Sequence, residues 1–253
     1  MKILVFIKLV PDLVEELSID PSGNALDTAW LRMIINEFDD HALEQAILLK
    51  EKIDSEVIVI APDFDGVDEV LYTAVAKGAD QVIKLTGEFS NANNHALARG
   101  ITPYISSIQP DLVLTGVQAN NDIDGTFGPT LAACLNYPFI GYVSGVSLED
   151  NTAKVRKEYP GGIIAEMSVS LPAVLGIQAA EQPPRYVAVS KVRQVMKTAS
   201  ISEHLLETFD NSGSPQINRM FQPETSSHAE MIEGNPDEIA NKLVSILSEK
   251  GIL

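Results

Sequence analysis

Residues able to do chemistry gather in one stretch, Ala119 to Thr130, ANNDIDGTFGPT. Asn120, Asn121 and Thr126 offer neutral hydrogen-bond donors, Asp122 and Asp124 are carboxylates two residues apart, and Gly125 and Gly128 open the backbone. Before it, the apolar run Leu112 to Leu114 has the residue types of a buried strand and breaks at Gly116. After it, Gly128-Pro129 and TLAACL predict a helix with proline at the first position, where its missing N–H costs nothing. A strand, loop and helix in that order set free N–H groups and the positive end of a helix dipole, roughly half a unit charge, at a sheet's carboxyl edge. An anion such as a nucleotide phosphate fits there. Asn120, Asn121, Thr126 and the N–H groups near Gly128 to Leu131 would face it, with Gly116, Gly125 and Gly128 allowing close approach. The same loop also suits an α/β domain with nothing bound, because neither a Walker lysine nor GxGxxG accompanies it. Asp122 and Asp124 must point away from a phosphate or touch ribose hydroxyls, since charges within about 4 Å repel.

Calcium is the other chemistry the loop suggests. Asn120, Asp122, Asp124 and Gly125 copy the front half of an EF-hand loop, but Leu131 stands where the bidentate glutamate belongs and a strand precedes the loop. No Ser-His-Asp order, HExxH, CxxC or P-loop occurs, and His41, His95, His204 and His228 are scattered. Cys134, the only cysteine, falls in an apolar helix and is expected to be a buried, inert thiol. An independent catalyst is therefore not the expectation.

Lys2 to Ile7 predicts a buried parallel strand ended by Pro11-Asp12, and Leu13 to Leu31 carries turn chemistry suited to a small hairpin. Asn36 to Asp40 offers caps for the helix HALEQAILLKEK. Strand Glu56 to Ala61, helix Gly66 to Ala76 closed by Gly78, strand Gln81 to Leu85 and helix Asn93 to Ile108 follow. This alternation predicts an α/β, doubly wound, mostly parallel sheet with ligands outside its carboxyl ends. Val143 to Leu148, Ala153 to Tyr159 and Ile163 to Leu171 form an antiparallel extension, followed by Ala173 to Ile177, in the same sheet or a second layer. From Ala179 periodicity fades through Gln182-Pro183-Pro184-Arg185-Tyr186 to the cations Lys191, Arg193 and Lys197. Ser200 to Pro236 has no core pattern, and a helix over Pro236 to Leu253 is capped by Asn235. The expected organisation is an α/β nucleotide-binding domain over 1–199 and a C-terminal arm and helix over 200–253 lying on a partner.

Composition limits the partners. Across 253 residues the formal net charge is −17, with 45% hydrophobic and 21% charged residues. That is a globular balance whose acidity argues against nucleic acid and anionic membranes. No run is long enough to cross a bilayer, the apolar start is too short for a signal sequence and is closed by Lys8, and cysteine is scarce, so a cytoplasmic location is expected.

With these stretches in view, the chain resembles the beta subunit of electron transfer flavoproteins. The resemblance runs through MKILVFIKLVPD, INEFDDHALEQAILLKEK, AVAKGAD, DLVLTGVQA with its loop to GPTLAACLNYP, LPAVLGIQ and PPRY, and its strength lies in their order and spacing. RMFQPE and AEMIEG look like the subgroup that serves bacterial amine dehydrogenases. The resemblance implies an adenine nucleotide alpha hydrolase-like fold and an electron-carrier subunit rather than an enzyme. It also implies a heterodimer with an alpha subunit that makes most of the contacts to FAD, and a dehydrogenase as electron donor. It implies AMP in the beta subunit, which bifurcating members replace by a second FAD. Carried over by position, the adenine nucleotide would touch Phe6, Asn36, Phe38, Asp39, Pro62 and the loop residues Ala119, Asn120, Asn121, Asp122, Asp124, Gly125, Thr126, Gly128 and Thr130. Val189, Lys191 and Arg193 would fall in the partner-recognition segment. Many relatives have alanine at the position of Phe6, acidic residues at Asn121 and Ile123, glutamine at Thr126 and leucine at Val189; Phe6 adds bulk beside the expected ligand. A free-standing adenine-nucleotide-binding α/β protein is the alternative.

Overall fold

The computed structural model describes residues 1–87, 89, 92–122, 124–206, 210, 212, 217–223, 229 and 231–253. Its first apolar run forms β1 (Lys2–Phe6) and then β2 (Leu9–Pro11), which pairs antiparallel with β3 (Met33–Ile35). The excursion between β2 and β3 is thus held at its base by a two-stranded ribbon and contains one more antiparallel bridge, Ile19 to Leu26. Next come α1 (Glu37–Lys52), β4 (Glu56–Pro62), α2 (Val67–Lys77), β5 (Gln81–Thr86), α3 (Asn94–Ile108), β6 (Leu112–Gly116) and α4 (Phe127–Leu135). Gly78 ends α2 by donating to the carbonyls of Ala74 and Val75, and Asn93 starts α3 by accepting from the Ala96 N–H at 2.9 Å. α4 begins two residues before Pro129, so proline stands third in the helix rather than first as expected.

β7 (Phe139–Glu149), β8 (Thr152–Tyr159) and β9 (Ile163–Ser170) form the antiparallel meander. β10 (Ala173–Ile177) then returns to the space between β6 and β7 and runs parallel to both. All its residues are buried, as in a strand covered on both faces. The meander therefore extends the main sheet and adds no second layer. α5 (Val189–Val195), β11 (Ser202–Leu205) and α6 (Pro236–Glu249) complete the chain. The sheet order is β11-β5-β4-β1-β6-β10-β7-β8-β9, with every pair parallel from β11 to β7.

Alternation along β1 divides the core. Ile3 and Val5 pack with Leu43, Ile47 and Leu71 of α1 and α2, whereas Leu4 and Phe6 pack with Ile101, Ile105 and Leu131 of α3 and α4. This two-sided cover is the doubly wound arrangement expected from the alternating pattern. Each fully buried Ile or Leu contributes about 1.5–3 kcal/mol gross, so the central strands fix the site's frame rigidly. One expected boundary moves. Ser202–Leu205 pairs in parallel with β5 and Leu206 is buried, so the stretch after Ser200 first completes the sheet of the domain it was expected to leave.

Candidate functional site

The carboxyl ends of β1 and β6 lie side by side, and the chain leaves them in opposite directions along the sheet, the place where doubly wound folds bind ligands. Asp39, in the first turn of α1, ties the two ends together. Its carboxylate accepts from the backbone N–H of Lys8 at 2.9 Å and of Gly116 at 2.8 Å. A Cβ at Gly116 would lie 2.5 Å from Asp39 Oδ1, so glycine is required there for this latch rather than for approach to an anion. Asp39 is only 3% exposed, and burial pushes its pKa up to about 6 against the opposing effects of the Lys8 charge and the hydrogen bonds. Asn36 occupies the cap position of α1 but does not cap it with its side chain, contrary to expectation. Its Nδ2 donates instead to the carbonyl of Gln118 at 2.9 Å, pinning the start of the loop.

The loop's polar groups are largely satisfied within the chain. Asp124 Oδ1 accepts from the Thr126 N–H at 3.0 Å, the Thr126 hydroxyl at 2.9 Å and Asn94 Nδ2 at 2.9 Å. Burial works against the Asp124 charge, but these bonds, led by Asn94, and the nearby His95 hold its pKa below the usual value. Asp122 Oδ1 meets Lys8 Nζ at 2.8 Å and its Oδ2 accepts from the Ala119 N–H at 3.1 Å. Lys8 Nζ also donates to Asn94 Oδ1 at 3.1 Å and lies 5.7 Å from the Phe127 ring centre, within cation–π range. Asn120 Nδ2 donates to the carbonyl of Pro11 at 3.2 Å, while Asn121 is exposed. The loop's two described carboxylates are thus engaged within the chain, and no metal-holding group of three or more His, Cys, Asp or Glu occurs among the described residues. Ile123 and His228 lie outside them.

Fit to AMP can be tested on these atoms. At the start of α4, Pro129 has no N–H, the Thr126 N–H is held by Asp124 and the Thr130 N–H by the Thr126 carbonyl, which leaves Phe127 and Gly128 at most. Gly128 is itself tightly packed: a Cβ there would lie 2.9 Å from Thr115 Oγ1. Phe6 is 1% exposed and its ring lies 4.3 Å from that of Phe127, so the two aromatics fill the space beneath the loop. A phosphate on the remaining N–H groups would sit beside the Asp124 carboxylate, and like charges about 4 Å apart repel by roughly 4 kcal/mol at an effective dielectric near 20. The start of α4, as packed here, does not fit an anionic phosphate. Phe6, Asn36, Phe38, Asp39 and the loop do converge on one edge, with Pro62 buried one strand away at the end of β4. Lys8, Asn94, His95 and Phe127 share that edge and were not among the expected site residues. A lysine directly after a buried parallel strand was the available signal for the first.

A second surface follows PPRY. The Arg185 guanidinium donates from Nε and Nη2 to Glu44 Oε1 at 3.0 and 2.8 Å, and from Nη1 to Glu51 Oε1 at 2.7 Å. Its backbone N–H reaches Glu44 Oε2 at 2.9 Å. Glu44 is 2% exposed, so this fork, more than the prolines, fixes where the chain leaves α1. His41 Nδ1 accepts from the Ala180 N–H and Gln45 Oε1 from the Glu181 N–H, both at 3.2 Å, extending the seam along α1. Beyond it α5, an unexpected helix, lies against α2 and has Val192 as its one buried residue. Tyr186, Val189, Lys191, Arg193 and Met196 stay exposed, Tyr186 at 88% and Val189 at 56%. Cys134 is exposed on α4, correcting its expected burial.

No helix among the described residues is long and apolar enough to cross a membrane. A family model described as the electron transfer flavoprotein domain matches residues 25–204. The chain is 32% identical over 261 residues to the electron transfer flavoprotein subunit beta of Methylophilus methylotrophus, covering 98% of both chains. It is 31% identical over 258 residues to the subunit of that name from Clostridium acetobutylicum, covering 99% of both. To the caffeyl-CoA reductase-Etf complex subunit CarD of Acetobacterium woodii it is 32% identical over 264 residues, covering 100% of both.

Proposed function

The chain belongs to the electron transfer flavoprotein family, aligning with beta subunits over nearly its whole length, and from that membership we propose that it is the non-catalytic half of a heterodimeric electron carrier. Its partner is an alpha subunit that makes most of the contacts to FAD. FAD, when bound between the two, supplies the redox chemistry, taking electrons from a dehydrogenase and passing them to an acceptor. This chain contributes the scaffold and the surface that a donor recognises. A cytoplasmic location accords with a chain whose one cysteine is exposed on α4.

The observation that carries the heterodimer is α6. Asn235 Oδ1 accepts from the N–H groups of Asp237 at 3.1 Å and Glu238 at 3.0 Å, and Glu238 Oε2 accepts from the Asn235 N–H at 3.1 Å, a complete capping box. A helix so firmly started has none of its residues buried, although Ile239, Leu243, Ile246 and Leu247 line one face. A free-standing nucleotide-binding protein would leave that face in water, whereas a second subunit covers it. Three fillings were expected for the beta site: AMP, a second FAD or none. The internal use of its donors favours the last.

Docking of the donor is assigned to α5, where Val189 gives an apolar anchor and Lys191 and Arg193 oppose the sign of a chain with net charge −17. The assembled heterodimer carrying Val189→Ala with Lys191→Glu should be reduced by its dehydrogenase about tenfold more slowly, equivalent to about 1.4 kcal/mol, with its flavin spectrum unchanged. The deficit should shrink as salt rises. Stopped-flow rates equal to those of the unaltered complex at every salt concentration would remove α5 from the account.

A further inference from the structure

The edge where a nucleotide was expected is closed by the chain's own side chains. Thr126, Asp124, Asn94, Lys8, Asp122 and the Ala119 N–H form one continuous series of hydrogen bonds and an ion pair. It joins the end of β1, the start of α3 and both halves of the β6–α4 loop, segments that a bound nucleotide would otherwise hold together. Asp124 provides the negative charge at the start of α4, accepting from the N–H and hydroxyl of Thr126 as a phosphate oxygen would. Below this series, Phe6 and Phe127 pack ring against ring, both buried.

We infer that this beta subunit holds no adenine nucleotide, and that Asp124, bridged through Asn94 to the Lys8–Asp122 pair, is a built-in anion in its place. Each part of the series depends on the others. Asn94 is oriented by donating to Asp124 and accepting from Lys8, which commits one amide hydrogen and its oxygen within the chain. Lys8 is neutralised by Asp122, so it is not an available counter-ion for a phosphate. A second FAD would meet the same obstacle, because its pyrophosphate is also anionic and would lie beside the Asp124 carboxylate at the start of α4.

The inference rests on the family reading only for the expectation of a bound nucleotide, and the test separates the two. The heterodimer, purified after co-expression with its alpha subunit, is denatured in acid and its released nucleotides are quantified by mass spectrometry. One FAD per heterodimer with only trace AMP is the expected result. AMP at one per heterodimer, or two FAD, would overturn the inference, whereas a complex without flavin would contradict the heterodimer reading while the AMP count still decided this one. As a second arm, about 1 mM AMP added to the heterodimer should leave its melting temperature within about 1 °C, since only a ligand that binds the folded state raises it. A saturable rise would overturn the inference. Asp124→Asn should lower the melting temperature by about 2–4 °C, with AMP content still at trace level. An unchanged melting temperature would contradict the structural role given to Asp124.

Discussion

Asp39 is the residue at which the fold's geometry has the clearest consequence for pH. Burial raises its pKa from the usual 3.8 to about 6, so the folded chain holds this proton more tightly than the unfolded chain does. Its contribution to stability is therefore full below about pH 4 and is lost as pH rises through about 6, a change on the order of 3 kcal/mol at 1.36 kcal/mol per pKa unit. Asp39→Asn should abolish that slope. In urea melts between about pH 4 and pH 7, the native chain should lose stability relative to the variant as pH rises. A constant difference between them would show that Asp39 does not titrate in this range. Arg185 makes a separate prediction, because Glu44 beneath it is buried and loses its partner when Arg185 is removed. Arg185→Ala should cost about 2–3 kcal/mol, less than for a fully buried pair because the guanidinium is partly exposed. Arg185→Lys should recover only part of it, since an ammonium cannot reproduce the fork on Glu44 and Glu51. Equal stability of the alanine variant and the native chain would contradict the clamp.

At the scale of elements, α6 is the piece whose removal distinguishes a self-contained domain from one that needs a partner. A chain ending before Asn235 keeps the whole nine-stranded sheet, including β11 and buried Leu206. It should fold with an unchanged circular dichroism melt and bind the alpha subunit at least about tenfold more weakly, a loss of about 1.4 kcal/mol or more. Unchanged affinity by titration calorimetry would place the contact elsewhere. Truncation at Ser200 would be a poorer test, because it also removes the edge strand. That strand was not legible in the sequence: Ser202–Leu205 is short and mostly exposed, so its partner β5, not a hydrophobic pattern, defines it. α5 was missed for the same reason, having one buried residue, Val192. Helices and strands with a dense apolar face, such as α3 with Leu97, Ile101 and Ile105, were legible nearly to their ends. At the candidate site the sequence revealed which residues converge but not how they are used. Asn36 looked like a helix cap and serves the loop, and the glycines at 116 and 128 looked like room for a ligand and serve packing. Those outcomes depend on partners more than seventy residues away for Asn36 and Gly116, and local spacing carries no trace of them.

The whole molecule presents apolar surface in several separate places. Tyr159, Ile163, Ile164 and Met167 are exposed on the β8–β9 hairpin, Leu243 and Val244 on α6, and Trp30, at 95% exposure, on the excursion between β2 and β3. Single exposed apolar residues are common, but grouped ones on a hairpin and a capped helix mark surfaces that another chain covers. Alignment with beta subunits from end to end, together with this distribution, makes association with an alpha subunit the central claim. Native mass spectrometry of the chain co-expressed with its alpha subunit tests it most directly. One dominant species is expected, whose mass is the sum of this 27.4 kDa chain, one alpha subunit and one FAD. A free 27.4 kDa chain beside a separate, flavin-loaded alpha subunit would contradict it.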